Sequence, residues 1–388
     1  MSKQERREQD ERSKQRRQKR RKRFIFRWVA VLVVAALVAT LIRYWDDISP
    51  ETLVEDIGDI LTGDSESGFP INVAGNRIYQ LETADACTAV LSDTYVALYN
   101  NKGVEVMRRT HSFAEPMLCA ADKYLLLVER GGRRLQLETR SKSVITHTTK
   151  YDIITAAVHT NGNVAVITAA EQGYNARLTV YRKDGTVIYE RLCSTLLVDV
   201  AFSPNGKNVA VAAVSADKGT LRSTIEVLSL QSADSAPVYT YSGDDVLLCR
   251  VAYLSNSLIT AVGDNAVWMY HPQKEKCDVY TVTDGEMTAF AIGDNSVALV
   301  TQPYGSSGDG NVVYVKTNGT VAYTTAIKGV CRDVAAYKNT YAVLTEQYMY
   351  RLSGKGITST DEVPSDGKMV GRIGDTVTVL GLQNITAY

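Results

Sequence analysis

Closely spaced cysteine pairs are absent from this sequence, and no cysteine stands in a CxxC motif. Structural zinc sites built from cysteine need such pairs, so a zinc site of this kind is not expected. The six cysteines are Cys87, Cys119, Cys193, Cys249, Cys277 and Cys331. Most lie in apolar, strand-like runs, which is typical of buried free thiols acting as small hydrophobic residues. A disulfide is the alternative if the compartment is oxidising.

Signatures of catalysis are missing as well. The chain has only four histidines, and none stands in HExxH or another metal-ligand spacing. It lacks a GxSxG nucleophile elbow, a Walker loop, a dinucleotide glycine fingerprint and a sialidase-type Asp box. Beyond residue 70 the only tryptophan is Trp268, which disfavours a sugar-cleaving enzyme. We therefore expect no catalytic residues, no metal and no cofactor.

Charge is divided unequally along the chain, although the formal net charge is zero. Residues 1–45 hold 14 of the 43 basic residues and only 4 of the 43 acidic ones. The remainder has a net charge of about −10, which makes it a poor candidate for nucleic-acid binding, because that affinity comes from neutralising phosphates.

One hydrophobic run predicts a membrane anchor. Residues 1–23 form a basic tail that is too polar to fold, and residues 24–42 read FIFRWVAVLVVAALVATLI. Nineteen helical residues span roughly 28 Å, close to the thickness of a bilayer core. We therefore predict a transmembrane helix over 24–45, a cytoplasmic N-terminus that contacts lipid, and an extracytoplasmic remainder. A cleaved signal peptide is the alternative, but no A-x-A-like site follows the run.

An acidic linker follows over residues 46–69. Ser49, Pro50 and Glu51 resemble the start of a helix, and the apolar residues after them fall on one helical face. The sequence predicts a short amphipathic helix here.

Residues 70–388 alternate between apolar runs and turn dipeptides such as NG and DG, which indicates strands and hairpins. The second apolar run of each unit recurs at spacings of 36 to 49 residues. The runs begin at Thr88, Tyr124, Val164, Val209, Leu258, Val297, Tyr341 and Val377. Four strands in roughly 40 to 45 residues are typical of propeller blades. The prediction is an all-β, eight-bladed β-propeller, with seven blades as the alternative.

The eighth unit ends within its third strand, at Tyr388, whereas the segment PINVAG at 70–75 precedes the first unit. An open edge would break the ring. We therefore predict that residues 70–75 supply the outer strand of blade eight.

The turn FSPNGKNVAVAA at 202–213 resembles the F-S-P-D-G turn of WD-type and Tol-system propellers, with Asn205 in place of the usual aspartate. The layout of basic tail, anchor, acidic linker and propeller is similar to an uncharacterised family of membrane-anchored propeller proteins in Gram-positive bacteria. That resemblance implies the fold and the anchor, but no activity.

Three segments between second and third strands are long, at 170–177, 215–223 and 301–311. Long loops with aromatic and charged tips often carry binding sites. The candidate binding residues are Tyr174, Asp217, Arg222, Tyr304 and Asp309.

These features favour a non-catalytic binding or scaffold protein of the bacterial cell envelope, whose partner is an envelope protein or a wall polymer. The first alternative is a propeller hydrolase or lyase with a divergent site at the channel mouth. The second is a sensor that signals through its single helix, but GxxxG is missing from that helix.

Overall fold

The second strand of each repeat is apolar on both faces because each face packs against a different blade. In the strand Cys87–Ser92, Ala89 and Leu91 pack toward blade two, whereas Val90 packs toward blade eight. All six residues of this strand are buried. Burial on both faces explains why these runs are continuously apolar rather than alternating.

The structure is a computed structural model that describes residues 68–388, except Asp85, 233–235, 306–307 and the side chain of Asp217. Within these residues, thirty-two strands form eight antiparallel sheets of four strands each. The predicted eight-bladed all-β propeller is therefore confirmed.

The strands of blades one to four are β2 (Ile78–Ala84), β3 (Cys87–Ser92), β4 (Tyr95–Tyr99), β5 (Glu105–Thr110), β6 (Pro116–Ala121), β7 (Tyr124–Glu129), β8 (Arg134–Glu138), β9 (Ser143–Thr148), β10 (Ile153–Val158), β11 (Val164–Thr168), β12 (Ala176–Tyr181), β13 (Val187–Cys193), β14 (Leu196–Phe202), β15 (Asn208–Asp217), β16 (Thr220–Ser229) and β17 (Tyr239–Asp244). The strands of blades five to seven are β18 (Leu248–Ser255), β19 (Leu258–Gly263), β20 (Ala266–His271), β21 (Lys276–Thr281), β22 (Glu286–Ile292), β23 (Ser296–Gln302), β24 (Gly310–Lys316), β25 (Val321–Ile327), β26 (Cys331–Tyr337), β27 (Thr340–Thr345), β28 (Tyr348–Ser353) and β29 (Gly356–Glu362). Blade eight consists of β30 (Met369–Ile373), β31 (Thr376–Leu380), β32 (Asn384–Ala387) and β1 (Ile71–Asn72).

Blade eight is built from both ends of the described chain. Strand β1 pairs antiparallel with β32, with Ile71 opposite Ile385, and the Val73 amide donates to the Gln383 carbonyl at 2.8 Å. The pairing gives β32 an outer neighbour, so its backbone groups are satisfied. The prediction that residues 70–75 close blade eight is confirmed.

The core of the ring is divided among the interfaces between blades. Each of the eight hydrophobic clusters joins one pair of neighbouring blades. The cluster between blades eight and one contains Ile71, Val73 and Ile385, so the closing strands also supply part of this core.

One predicted loop is wrong. Residues 215–223 extend the hairpin of β15 and β16 and leave only Lys218 and Gly219 as the turn. Both turn residues have positive φ angles, of 50° and 86°, which suits a two-residue turn that continues the twist of its strands.

The described residues contain one short 3-10 helix, at Pro272–Lys274. No helix in this part of the chain is long and apolar enough to cross a bilayer. The predicted transmembrane helix, the basic tail and the amphipathic helix of the linker lie outside the described residues.

We predict that Ile385→Ala lowers the free energy of unfolding by about 2–5 kcal/mol, because this fully buried side chain packs in the closing blade. Urea unfolding followed by circular dichroism measures the change. Ile357→Ala, on an outer strand where the side chain is 38% exposed, is the matched control and should cost about 1 kcal/mol or less. Equal losses in the two variants would contradict a role for Ile385 in closure.

Candidate functional site

The inner strands share one register around the central channel. Six of them contain a β-bulge at the same point, and the residue just after the bulge is polar in five of the six. These residues are Gln80, Thr155, Asp199, Arg250, Ala289 and Asp333. A β-bulge redirects side chains locally.

Most of these polar groups tie one blade to the next. The Gln80 amide exchanges two hydrogen bonds with the backbone of Leu118, at 3.0 and 2.9 Å. Asp199 accepts from the Val251 amide and Asp333 from the Val370 amide, each at 2.8 Å.

Two further ties use residues elsewhere on the inner strands. The Cys119 thiol donates to the Ala156 carbonyl at 3.1 Å, and the Thr83 hydroxyl donates to the Arg372 carbonyl at 2.6 Å. Together, these hydrogen bonds join blades one and two, two and three, four and five, seven and eight, and eight and one.

Two positions after these residues, each inner strand has another residue, and these form one level around the channel. All but one of the side chains at this level are small. The pairing registers place the corresponding positions of blades two and eight at the same level. The residues are Glu82, Ala120, Ala157, Ala201, Ala252, Ala291, Ala335 and Gly371. Seven alanine or glycine residues leave room around a single glutamate.

The Glu82 carboxyl has one hydrogen bond among the described contacts, from the Gln80 amide to Oε1 at 2.8 Å. Burial raises the pKa of this carboxyl above its ordinary value, while the Gln80 hydrogen bond and the charge of Arg250 oppose the rise. The nearby charge of Asp333 raises the pKa further.

Arg250 differs from the other polar residues that follow the bulge, because its contact is an ion pair with Asp199 of the preceding blade and not a hydrogen bond to the next blade. Its Nε lies 3.7 Å from Asp199 Oδ2, and it forms no hydrogen bond within the described part of the chain. Its side chain is 59% exposed, although it borders the channel. The guanidinium therefore presents unused donors to the channel interior, and the Asp199 carboxylate keeps it charged.

The channel contains a cavity of about 490 Å³ that Glu82 and Arg250 both border. Tyr79 and Gln80 also border a second cavity, of about 600 Å³, at one mouth. Arg250 and Ile292 also border a third, of about 400 Å³, at the other mouth. The shared residues place the three cavities in sequence along the channel.

The predicted binding residues lie on a different surface, which we call the loop face. It carries the connections between second and third strands and those between successive blades. Tyr174 and Tyr304 are exposed there, at 45% and 78%. The structure does not bring the two together, because their blades, three and six, are not neighbours.

The other three candidates have different surroundings. Arg222 lies on β16 and forms an ion pair with Asp244, with Nε and Oδ1 2.8 Å apart. The Asp309 carboxylate accepts from the Gly329 amide at 3.0 Å, which joins two loops. Asp217 ends β15, opposite Thr220, and its side chain lies outside the described atoms.

The cysteines form no disulfide among the described residues. Cys193 is buried, as expected for a structural thiol, but Cys249 is exposed at a bulge. Burial raises the pKa of the Cys119 thiol to about 12, so the thiol is protonated at neutral pH and suited to donate rather than to attack. No group of metal ligands occurs within the described residues.

The sequence interpretation missed the channel residues because it considered the second strands and the long loops and drew no site from the first strands. A signal was present, since LVDVAF, LCRVAYL and CRDVAAY each place a charged residue within an apolar strand. Charged residues in such surroundings are rarely buried unless they are paired.

A model of a family of unknown function, DUF5711, matches residues 79–366. The chain belongs to this family. No curated protein matches the sequence.

Solved structures share the fold at low sequence identity. Sqt1 of Saccharomyces cerevisiae superposes with a TM-score of 0.58 at 8% identity, covering 82% of this chain and 98% of its own. Apo AztD from Citrobacter koseri gives 0.51 at 11% identity, covering 74% and 86%. The WD40 domain of Neurospora crassa Pan2 gives 0.48 at 9% identity, covering 71% and 88%. The first two similarities establish the propeller fold and nothing beyond it.

We predict that Glu82→Gln raises the melting temperature more as pH rises above about 4.5, the ordinary value for a glutamate. A carboxyl with a raised pKa in the folded state contributes stability below its unfolded pKa, and that contribution is lost as pH rises through the folded pKa. The glutamine variant never acquires the buried charge. Thermal denaturation of both proteins between pH 4 and pH 8 measures the difference.

Glu362→Gln, on the exposed end of β29, is the control and should give a difference that does not change with pH. A constant or shrinking difference for Glu82→Gln would show that Glu82 is not destabilised by burial.

Proposed function

We propose that the protein is a non-catalytic binding or scaffold module of the cell envelope. In this proposal residues 24–42 anchor it in the membrane, and the propeller faces outward and captures a protein through its loop face. The N-terminal basic tail contacts lipid on the cytoplasmic side. The propeller supplies a rigid disc on which exposed loops are held in fixed positions.

The observation that supports this proposal is the distribution of exposed apolar side chains. Six of the eleven large hydrophobic residues that are exposed in the described part of the chain lie on the loop face, one in each of blades three to eight. They are Tyr174, Leu196, Leu247, Tyr304, Val330 and Leu382. The other five lie on or next to outer strands.

Single exposed apolar residues are common, but an arc of them on one face is typical of a protein-binding surface. Aromatic residues are also enriched where partners bind, and two of the six are tyrosines. The net negative charge of residues 46–388 favours a basic partner.

A non-catalytic role is supported by the hydrogen bonding of the side chains that border the channel. Among the described residues that border it, the Thr83 hydroxyl is donated to a backbone carbonyl, and no nucleophile is hydrogen-bonded to a general base. The enzyme alternative needs such a pair at the channel mouth.

We expect the triple variant Tyr174→Ser, Tyr304→Ser, Leu382→Ser to reduce crosslinking of one envelope protein in intact cells at least about tenfold, because central apolar contacts supply most of the binding energy of an interface. Crosslinking followed by mass spectrometry measures the recovery.

The matched control is Val187→Ser, Val238→Ser, Ile357→Ser, which removes the same number of exposed apolar side chains from the outer strands. Unchanged capture by the loop-face variant would refute the proposal. Recovery of wall polymer in place of protein would refute the protein partner.

The proposed topology predicts that a membrane-impermeant maleimide labels Cys249 in intact cells, because this thiol is the one exposed cysteine of the described propeller. Cys249→Ser should remove most of the labelling. Labelling that appears only after the cells are lysed would place the propeller in the cytoplasm.

A further inference from the structure

The channel contains two oppositely charged groups whose hydrogen-bonding capacity the contacts of the described residues do not fill. Gln80, Asp199 and Asp333 hold neighbouring blades together through hydrogen bonds, whereas Arg250, at the equivalent position, makes only an ion pair with Asp199 of blade four, at 3.7 Å, among the residues that the structure describes. Glu82 stands alone among seven alanine or glycine residues at its level. At the level of Glu82, six of the other seven inner strands have alanine and one has glycine, so packing does not require a glutamate there.

The two groups approach the same space from opposite sides of the ring. Glu82 lies in blade one and Arg250 in blade five, and eight blades place these two across the channel from each other. Both border the cavity of about 490 Å³, and no ion pair joins them among the described contacts. The gap between them is therefore a space flanked by an acceptor and a set of donors.

The unused atoms define the chemistry of an occupant. Glu82 accepts one hydrogen bond, at Oε1, which leaves Oε2 to accept another. Arg250 offers guanidinium N–H groups in a fork that matches a carboxylate. An occupant that satisfies both ends carries an ammonium group at one end and a carboxylate at the other.

The remaining walls of the cavity are mixed. Thr83, Asp333 and Arg372 are polar, and apolar side chains that can contact an aliphatic body also border it, namely Leu81, Phe290, Ile292 and Met369. Its volume is within the range of about 300–1,000 Å³ that is typical of small-molecule sites. The cavities at the two mouths provide a route of entry from either side.

Other ligand classes fit less well. A simple anion would meet the carboxyls of Glu82, Asp199 and Asp333, and a simple cation would meet Arg250. A dipolar molecule meets a group of opposite charge at each end, and because Asp199 already neutralises part of the Arg250 charge, the ligand carboxylate is held mainly by guanidinium hydrogen bonds.

We propose that the channel binds a small aliphatic molecule of the amino acid or short-peptide class, with its ammonium on Glu82 and its carboxylate on Arg250. This site is separate from the loop face, so it stands or falls independently of the protein partner.

Isothermal titration of the full-length protein in detergent, with 6-aminohexanoate and the dipeptide Gly-Leu as probes, tests the proposal, because both probes carry their two charges at opposite ends. We expect at least one probe to bind. Its N-acetylated analogue lacks the ammonium charge and its amide lacks the carboxylate charge, and each should bind at least about tenfold more weakly. The analogue arm uses the unaltered protein, so it does not depend on whether any variant folds. Absence of binding by both probes, or equal binding of the analogues, would overturn the proposal.

The variants assign each charge to its residue. Glu82→Gln should reduce discrimination against the N-acetylated analogue, and Arg250→Gln should reduce discrimination against the amide. Arg250→Lys keeps the charge without the fork and should give an intermediate affinity. Glu362→Gln and Arg182→Gln, both exposed on blades seven and three, are the matched controls and should bind as the unaltered protein does. Variants of Glu82 and Arg250 that discriminate as the unaltered protein does would overturn the assignment.

Discussion

The pairing of β1 with β32 is the interaction on which the rest of the ring depends. Without it, blade eight has three strands and an unpaired outer edge, and the cluster between blades eight and one loses Ile71 and Val73. The same pairing connects two segments more than 300 residues apart, so it holds the ring closed without a covalent link. Every other interface in the ring relies on that closure, because each blade has a neighbour on both sides.

Closure also explains the composition of the strands. Each second strand is covered on both faces by different blades, so it is largely buried and mostly apolar, whereas outer strands such as β17 alternate between exposed and half-buried residues. The inner strands are a third case. They pack against neighbours and also border the channel, so they combine apolar residues with polar groups that satisfy the backbone of the next blade.

The charged residues of the channel differ in how far hydrogen bonds satisfy them. Asp199 is buried and Asp333 half-buried, and each accepts a backbone hydrogen bond, which offsets part of the cost of desolvation. Glu82 has a neutral amide as its only hydrogen-bonding partner, and Arg250 has a carboxylate beyond hydrogen-bonding distance. Because both groups border one cavity and keep hydrogen-bonding capacity, they can act together on one small ligand.

The loop face is a broad surface, unlike the small cavity in the channel. Its apolar residues are spread around the ring, and its charged candidates are engaged with neighbours, as Arg222 is with Asp244. A broad surface of this kind suits a large partner, whereas the channel suits a small ligand. The two surfaces therefore have different physical requirements, and the propeller provides both from one set of strands.

The sequence by itself determined the strand periodicity and the source of the closing strand, and it favoured eight blades over seven, because burial on two faces and turn chemistry leave a direct record in the order of residues. It also identified exposed tyrosines at 174 and 304, since loops with turn residues rarely become buried. It failed at 215–223, where polar residues continue a hairpin whose register is set by strand pairing. Only the tertiary structure decided which charged residues border the same cavity, because Glu82 and Arg250 are 168 positions apart and face each other across the channel only in the closed ring. A local pattern cannot encode a distance that depends on the number of blades around the ring.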